Sequence, residues 1–476
     1  MAELADLSAA ELMIGYARRW FTPLEVLEAV LERVARSEGL LKALFALDPD
    51  GARAAAAASS ERWARREALS PLDGVPVTIK DNIATRGVPM PLGTKARPLI
   101  PEPEDAPPAA RLREAGAVIF AKTTMPDYGM LSSGLSSFHP LTRNPWDLSR
   151  NPGGSSAGAG AAAAAGYGPL HLGTDIGGSI RLPAGWCGVV GFKPSLGRIP
   201  IDPPYIGRVA GPLTRTVTDA ALALEILSRP DPRDHMSLPY QPLPWRRLEG
   251  EVRGLKIGLL LDAGVGDPVE SEVRAAVEAA AQLFATHGAE IVPLSPFLTE
   301  EMLAGQDLFW RVRSYTDIAA LSPERRELVL PFIRVWAEGG ASASGLEVFH
   351  AFGQSLAIRA AAHRASQTVD YILSPTAPMP AFPAELPSPR NDPAHPFTHI
   401  GFTLPFNMSE QPAISINAGY TAEGLPIGMQ IAGRRFDDLG VLRIARFWEH
   451  IRPPQRPWPR LGEEEEPRAA PSPAAP

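Results

Sequence analysis

Apolar positions near the start of the chain recur at helical spacing. Leu27, Val30, Leu31 and Val34 share one face, and two capping signatures, Ser8 with Glu11 and Thr22-Pro23 with Glu25, predict where helices begin. Further on, the pattern changes to short β-type runs bounded by glycine or proline: GVPVTIK (74–80) and AVIFAK (117–122), with helical stretches between them. LKIGLLLD (255–262), a helical span over 271–286 and AEIVPL (289–294) repeat the strand–helix–strand rhythm, and VDYILSP (369–375), PAISINAG (412–419) and LPIGMQIAG (425–433) predict three late strands. Such alternation predicts an α/β fold. Residues 296–366 are richer in helical pattern and aromatics (Phe309, Trp310, Tyr315, Phe332, Trp336) and predict a helical insertion or lid over the sheet. From Arg452 proline dominates. The expected organisation is one domain over 1–460, its motif-bearing core at about 69–215, then a disordered acidic and Pro-rich tail over 461–476.

Composition narrows the class. With 476 residues, 45% of them hydrophobic and 21% charged, the chain can bury a large core, and a net charge of −7 lends no support to a nucleic-acid or anionic-membrane role. A single cysteine, Cys187, allows no internal disulfide, and Glu3 and Asp6 stand where a signal peptide would be apolar. A cytoplasmic protein is expected. The weakly polar stretch Ala157 to Leu172 is too short and too Ala/Gly-rich to span a bilayer and reads as a packed helix. Forty arginines stand against six lysines, so few lysines compete for a catalytic role.

Two glycine-bearing stretches carry the candidate chemistry: GGSSAGAGAAAAAG (153–166) and GTDIGGSIR (173–181). Two glycines before Ser179 let successive backbone N–H groups converge on one point, the arrangement that a serine nucleophile and its oxyanion require. A phosphate cradle is the competing reading of a glycine-rich loop. However, neither GxxxxGK[ST] nor a strand-led GxGxxG with a downstream acid is present. Nine histidines lack HExxH or HxxEH spacing, and one cysteine builds no thiolate site, so neither a metal nor a cofactor is expected. Cys187 lies in an apolar run without a nearby histidine and reads as a core residue.

GVPVTIKDN (74–82), TRNPWDLSRNPGGSSAG (142–158), LGTDIGGSIRLPA (172–184) and CGVVGFKPSLGR (187–198) together resemble the amidase signature family, and the likeness extends from about residue 5 to about 450. Lys80 precedes Ser179 by 99 residues and Ser155 precedes it by 24, the spacings found in that family. The resemblance implies a large mixed sheet covered by helices on both faces. It also implies a triad of Lys80, Ser155 and Ser179, in which a buried, neutral Lys80 is the base, Ser155 relays the proton and Ser179 attacks. Lys122 and Lys193 are rival bases on composition, and the family spacing selects Lys80. The resemblance further implies a cis Gly154–Ser155 peptide and an oxyanion hole of the Ile176, Gly177, Gly178 and Ser179 N–H groups. Ser156, Asp175 and Arg181 support the site, with Arg181 paired to Asp175 at least as readily as to substrate.

Within the family two activities compete. The A subunit of glutamine-dependent tRNA amidotransferase carries an aspartate, in a context like DxFTxPxN, that holds the glutamine α-amine; the matching stretch here, IGFTLPFN (400–407), has Ile400 in its place. An ammonium against isoleucine would be uncompensated, so an independently acting amidase is the favoured expectation. The segment 199–216 also lacks SLDQxGP. A pocket of Met125, Tyr128, Met130, Leu131, Tyr205, Ile206 and Trp336 is expected to take a hydrophobic or aryl amide, or an ester or carbamate. The expected partners are that small molecule and water, with no nucleic acid and no membrane, and with a homodimer left open. A catalytically inactive scaffold is the third reading, disfavoured by the intact triad positions.

Overall fold

A computed structural model describes residues 3–462. The expected acidic tail therefore lies almost wholly outside the described residues. Both N-terminal capping boxes form: Ser8 accepts from the Glu11 backbone at the start of the Ala9–Arg18 helix, and Thr22 does the same for Glu25 ahead of Pro23–Leu41.

The described residues hold eleven strands in a single sheet. In chain order they are β1 (Leu44–Phe45), β2 (Pro76–Lys80), β3 (Val118–Thr123), β4 (Leu170–Asp175), β5 (Val190–Lys193), β6 (Val209–Thr214), β7 (Lys256–Leu259), β8 (Glu290–Pro293), β9 (Tyr371–Pro375), β10 (Ala413–Tyr420) and β11 (Pro426–Ala432). They lie in the order β1-β3-β2-β4-β6-β5-β10-β11-β9-β7-β8. β2 runs parallel to both β3 and β4, β7 runs parallel to β8 and β9, and the centre from β4 through β6, β5, β10 and β11 to β9 is antiparallel. Helices cover both faces, burying the apolar strands between them. The fold is α/β with a large mixed sheet.

The stretch 157–172, expected as one packed helix, divides. Ala157–Ala165 is helical and wholly buried, Gly166 closes it in the left-handed region at φ 78°, and Leu170 begins β4. Small residues are required there: a Cβ on Gly158 would stand 2.1 Å from the Ala43 carbonyl oxygen. The aromatic-rich segment carries four helices, Glu300–Ala319, Pro323–Arg326, Pro331–Glu338 and Gly345–Ala365. The Glu300–Ala319, Pro331–Glu338 and Gly345–Ala365 helices share an apolar cluster in which Trp310 and Trp336 each meet Phe397 edge-on, at 5.2 and 5.5 Å between ring centroids.

Candidate active site

β2 and β4 are parallel neighbours, so Lys80 at the end of β2 and the turn after Asp175 at the end of β4 emerge at the same edge of the sheet. Carboxyl ends of parallel strands are where open α/β sheets bind ligands. Ser155 and Ser156 arrive at the same edge from the loop before the Ala157–Ala165 helix, through a cis Gly154–Ser155 peptide.

Lys80 is fully buried. Its Nζ donates to Ser155 Oγ at 2.8 Å, Ser156 Oγ at 3.0 Å and Thr174 Oγ1 at 3.0 Å. Burial brings its pKa down to about 7, against the opposing charges of Asp175 and Asp81 and with help from Arg208. In the neutral amine the lone pair can accept, and the 2.8 Å contact then runs from the Ser155 hydroxyl to Lys80.

Ser179 is half-buried and lines a cavity of about 30 Å³. Among the described residues its hydroxyl makes no hydrogen bond, so the expected contact from Ser179 to Ser155 is not formed. The Ser156 N–H instead donates to the Ser179 carbonyl at 3.1 Å, which ties down the backbone and leaves the hydroxyl at the cavity wall.

The four-donor oxyanion hole also needs correction. The Gly178 N–H donates to Asp175 Oδ1 at 2.8 Å and is spent on holding the turn. Ile176, Gly177 and Ser179 are the turn residues whose N–H groups have no acceptor among the described residues. Gly178 sits at φ +131°, and a Cβ there would stand 2.6 Å from Thr403 Oγ1, so only glycine fits.

Asp175 anchors this turn. Besides Gly178 it accepts from the Ile180 N–H at 3.1 Å, from Arg181 Nε at 3.0 Å and Nη2 at 2.9 Å, and from Asn407 Nδ2 at 2.9 Å. Burial by itself would raise its pKa, but the Arg181 guanidinium and these donors hold it well below the usual carboxylate range. Arg181 is fully buried and spends its remaining donors on Thr403 O, Gln430 Oε1 and Asn407 Oδ1. It braces the turn and does not line the Ser179 cavity. Asn407 and Gln430 are site-bracing residues that sequence reasoning did not single out.

The rival groups are occupied or inert. Lys122 Nζ donates to Ile83 O and to Thr85 Oγ1 at 2.9 Å, and Lys193 Nζ to Pro194 O at 2.9 Å; burial lowers both, to about 8 and about 7. Neither contacts a serine. Burial pushes the Cys187 thiol up, away from thiolate chemistry.

Around Ser179 the cavity is lined by Met130, Leu131, Ile176, Trp310, Phe397 and Ile400, with Gly129, Ser132 and Gly177. Met130 and Leu131 thus stand where expected. Met125 is buried behind the wall, and Tyr128 packs into the cluster beneath it. Tyr205 lies under Arg313, while Ile206 is 44% exposed. Trp336 is a packing residue: it is 1% exposed, and its Nε1 donates to Asp307 at 2.8 Å. The indole that reaches the site belongs to Trp310, whose ring would meet a Cβ on Gly177 at 3.0 Å. Its place among the aromatics of 309–336 was the available signal; Phe397 gave none. Roomier crevices of about 610 and 720 Å³ contain none of the site residues. Among the described residues no His/Cys/Asp/Glu group could hold a metal ion, and no helix is long and apolar enough to cross a membrane.

The chain matches the Amidase family over residues 25–442. It is similar to the A subunit of glutamyl-tRNA(Gln) amidotransferase from Chloroflexus aggregans, 34% identical over 95% of this chain and 97% of that one. The corresponding protein of Anaeromyxobacter sp. strain K is 37% identical, over 94% and 96%. In structure it resembles a bacterial aryl acylamidase of the amidase signature enzymes, with a TM-score of 0.86 and 29% identity over 94% of this chain and 96% of that one.

These relatives overturn the expected partners. A small molecule and water, with nucleic acid excluded, does not fit a kinship with proteins named as one component of an enzyme for glutamyl-tRNA(Gln). The unpaired charge at Ile400 concerned only the grip on a glutamine amine and did not bear on docking of other chains. The buried lysine, the paired serines and the glycine turn, together with a match covering most of its length, place the chain in the amidase signature family of enzymes that cleave carbon–nitrogen bonds.

Proposed function

We propose that this enzyme cleaves amides through an acyl-enzyme on Ser179. The observation that carries the reading is the desolvated Lys80 amine, 2.8 Å from Ser155 Oγ, beside a serine whose hydroxyl faces a cavity. A serine hydroxyl needs a base at neutral pH. Neutral Lys80 takes the Ser155 proton as Ser155 takes that of Ser179, which requires the Ser179 hydroxyl to swing toward Ser155 when substrate enters. Oγ adds to the carbonyl carbon, and the developing oxyanion is held by the Ile176, Gly177 and Ser179 N–H groups; each such donor is worth about 2.7–4 kcal/mol of barrier in hydrolases. As the tetrahedral adduct collapses, the proton returns along the same path to the leaving nitrogen. Water then enters by the reverse sequence and releases the acid.

Two acyl donors are supported by different observations. The names of the relatives support the carboxamide of glutamine, with this chain as an amidotransferase component that hands ammonia to an acceptor. The cavity lining of Met130, Leu131, Trp310, Phe397 and Ile400 supports a hydrophobic or aryl amide, and by the same oxyanion chemistry an ester or carbamate. The test is a donor panel: glutamine with and without the other amidotransferase subunits and charged tRNA, against chromogenic p-nitroanilides, esters and carbamates. Glutamine turnover that appears with those subunits selects the first reading. A kcat/KM for p-nitroanilides well above that for glutamine selects the second. Ser179→Ala should abolish turnover and fluorophosphonate labelling in either case, and labelling retained at another serine would remove the mechanism.

A further inference from the structure

Arg208 stands one residue ahead of β6, whose Val209 pairs with Asp175 at the end of β4, so it lies beside the turn that bears Ser179. Its backbone N–H donates to Tyr205 O at 3.1 Å and its Nη2 to Pro203 O, while its Nε is buried without a hydrogen-bond partner. Arg313 lies on the Glu300–Ala319 helix one turn beyond Trp310, with its guanidinium 4.6 Å from the centroid of the Tyr205 ring. The charges of both arginines reach Tyr205, and that of Arg313 reaches Arg208. Among the described residues neither forms an ion pair.

The acids whose charge reaches Arg208 are otherwise placed. Asp202 is exposed, and Asp234 already accepts from the Ile201 N–H at 3.0 Å and the Met236 N–H at 2.8 Å. Burial and the charge of Arg313 bring Arg208 down to about 10, as expected of a guanidinium without its counter-ion. Its charge also reaches Lys80, where it favours the neutral amine. An idle buried N–H beside a like charge is unfavourable unless an anion completes the arrangement, and a planar carboxylate matches a guanidinium fork.

We propose that Arg208 and Arg313 form a carboxylate subsite next to Ser179, and that the amide cleaved there bears a carboxylate. The proposal rests on Ser179 as the acyl-transfer nucleophile and adds the charge of the substrate. The apolar wall of Trp310, Phe397 and Ile400 takes the hydrocarbon, and the arginine pair takes the anion.

Two pairs of probes test it. The mono-p-nitroanilide of glutaric acid is compared with pentanoyl p-nitroanilide, and an N-acylated 4-aminobenzoate with the matching 4-toluidide, so that the carboxylate lies in the acyl half or in the leaving amine. The wild type should prefer the acid in one pair, and the acid-to-neutral ratio of kcat/KM should fall about 10- to 100-fold in Arg208→Gln and Arg313→Gln. Arg208→Lys should recover only part of it, since a point charge replaces a fork. The ratio cancels any change that Arg208 imposes on Lys80. Arg313 is a half-buried helix side chain, so its variant carries the test should Arg208→Gln not fold. Calorimetric binding of all four probes to Ser179→Ala gives a readout independent of turnover. Tighter binding of the acid, lost on removing either arginine, supports the subsite even if the wild type cleaves no amide, an outcome that would sink the acyl-transfer reading alone. Equal binding of acid and neutral probes in both pairs, with ratios unmoved by either arginine variant, overturns the subsite while amide cleavage stands.

Discussion

Replacing Lys80 with methionine should abolish activity and yet relieve a pH-dependent burden on the fold. The Lys80 amine falls from 10.5 to about 7 because the folded state strips its ammonium of water. Below pH 7 the full shift opposes folding, by about 5 kcal/mol. As pH rises from 7 toward 10.5 the folded protein has already lost the proton that the unfolded chain still holds, so wild-type stability climbs through that window. The penalty is about 4 kcal/mol at pH 7 and about 2 kcal/mol at pH 9. Lys80→Met carries no such group, and the loss of a partner for Ser155 Oγ, about 1–3 kcal/mol, is independent of pH. The stability of the wild type relative to the variant should therefore improve by about 2 kcal/mol between pH 7 and pH 9, whatever its sign at either one. Urea unfolding of both proteins at the two pH values measures it, with effects of other groups cancelling in the difference. In parallel, wild-type kcat/KM on a neutral p-nitroanilide should rise tenfold per unit below about pH 7 and level off above it. A stability difference that stays constant between the two pH values, or a rate that falls as pH rises through 7, would refute a neutral Lys80.

Trp336→Ala should destabilise the protein by about 3–5 kcal/mol in urea unfolding, because the indole is buried and its loss takes away the donor to Asp307 Oδ1, leaving only Arg311 on the other oxygen; a reordered substrate preference at unchanged stability would show that it contacts substrate. Trp310→Ala should do the converse, shifting KM among p-nitroanilides of different acyl size more than it shifts fluorophosphonate labelling, and a uniform loss on every probe would count against it. Asp175→Asn leaves Arg181 buried without its counter-charge and should cost about 3–5 kcal/mol, whereas a change under about 1 kcal/mol would mean that the turn does not depend on the pair. Cys187 should resist iodoacetamide in the folded enzyme at pH 8, since it is buried and its thiolate disfavoured; rapid alkylation without loss of structure would contradict that.

The chemistry was legible because it is written in local signals. Glycine before Ser179 and paired serines before a run of alanines are each specified within a few residues; a lysine in a β-type run fits Lys122 and Lys193 as well as Lys80, and the spacing of the family resemblance made that choice, with parallel pairing of β2 and β4 bringing the groups together. Of what surrounds them, Met130, Leu131 and the position of Ile400 were legible and the rest was not, because it is assembled from afar. Trp310, Phe397 and Ile400 converge on Ser179 through packing of the 300–400 segment, and periodicity could not tell the indole of Trp310, at the cavity, from that of Trp336, in the core. The fourth expected oxyanion donor failed for a related reason: a backbone N–H a few residues from an acid can point at substrate or back at Asp175, and only the closed turn decides. The helix expected over 157–172 ended early because Gly166 takes the left-handed region and Gly168 and Pro169 follow it, stop signals that the low polarity of the whole stretch obscured.

The division between the sheet edge and its apolar wall has an evolutionary consequence. Lys80, Ser155 and Ser179 are fixed by strand ends, a buried alanine helix and the Asp175–Arg181 pair, whereas Met130, Trp310, Phe397 and Ile400 line the cavity from other parts of the chain. Substitutions that resize the wall are expected to leave the strand ends that hold Lys80 and the Ser179 turn in place. A scaffold built this way is expected to change its acyl donor through substitutions in the wall while the groups at the sheet edge stay where they are.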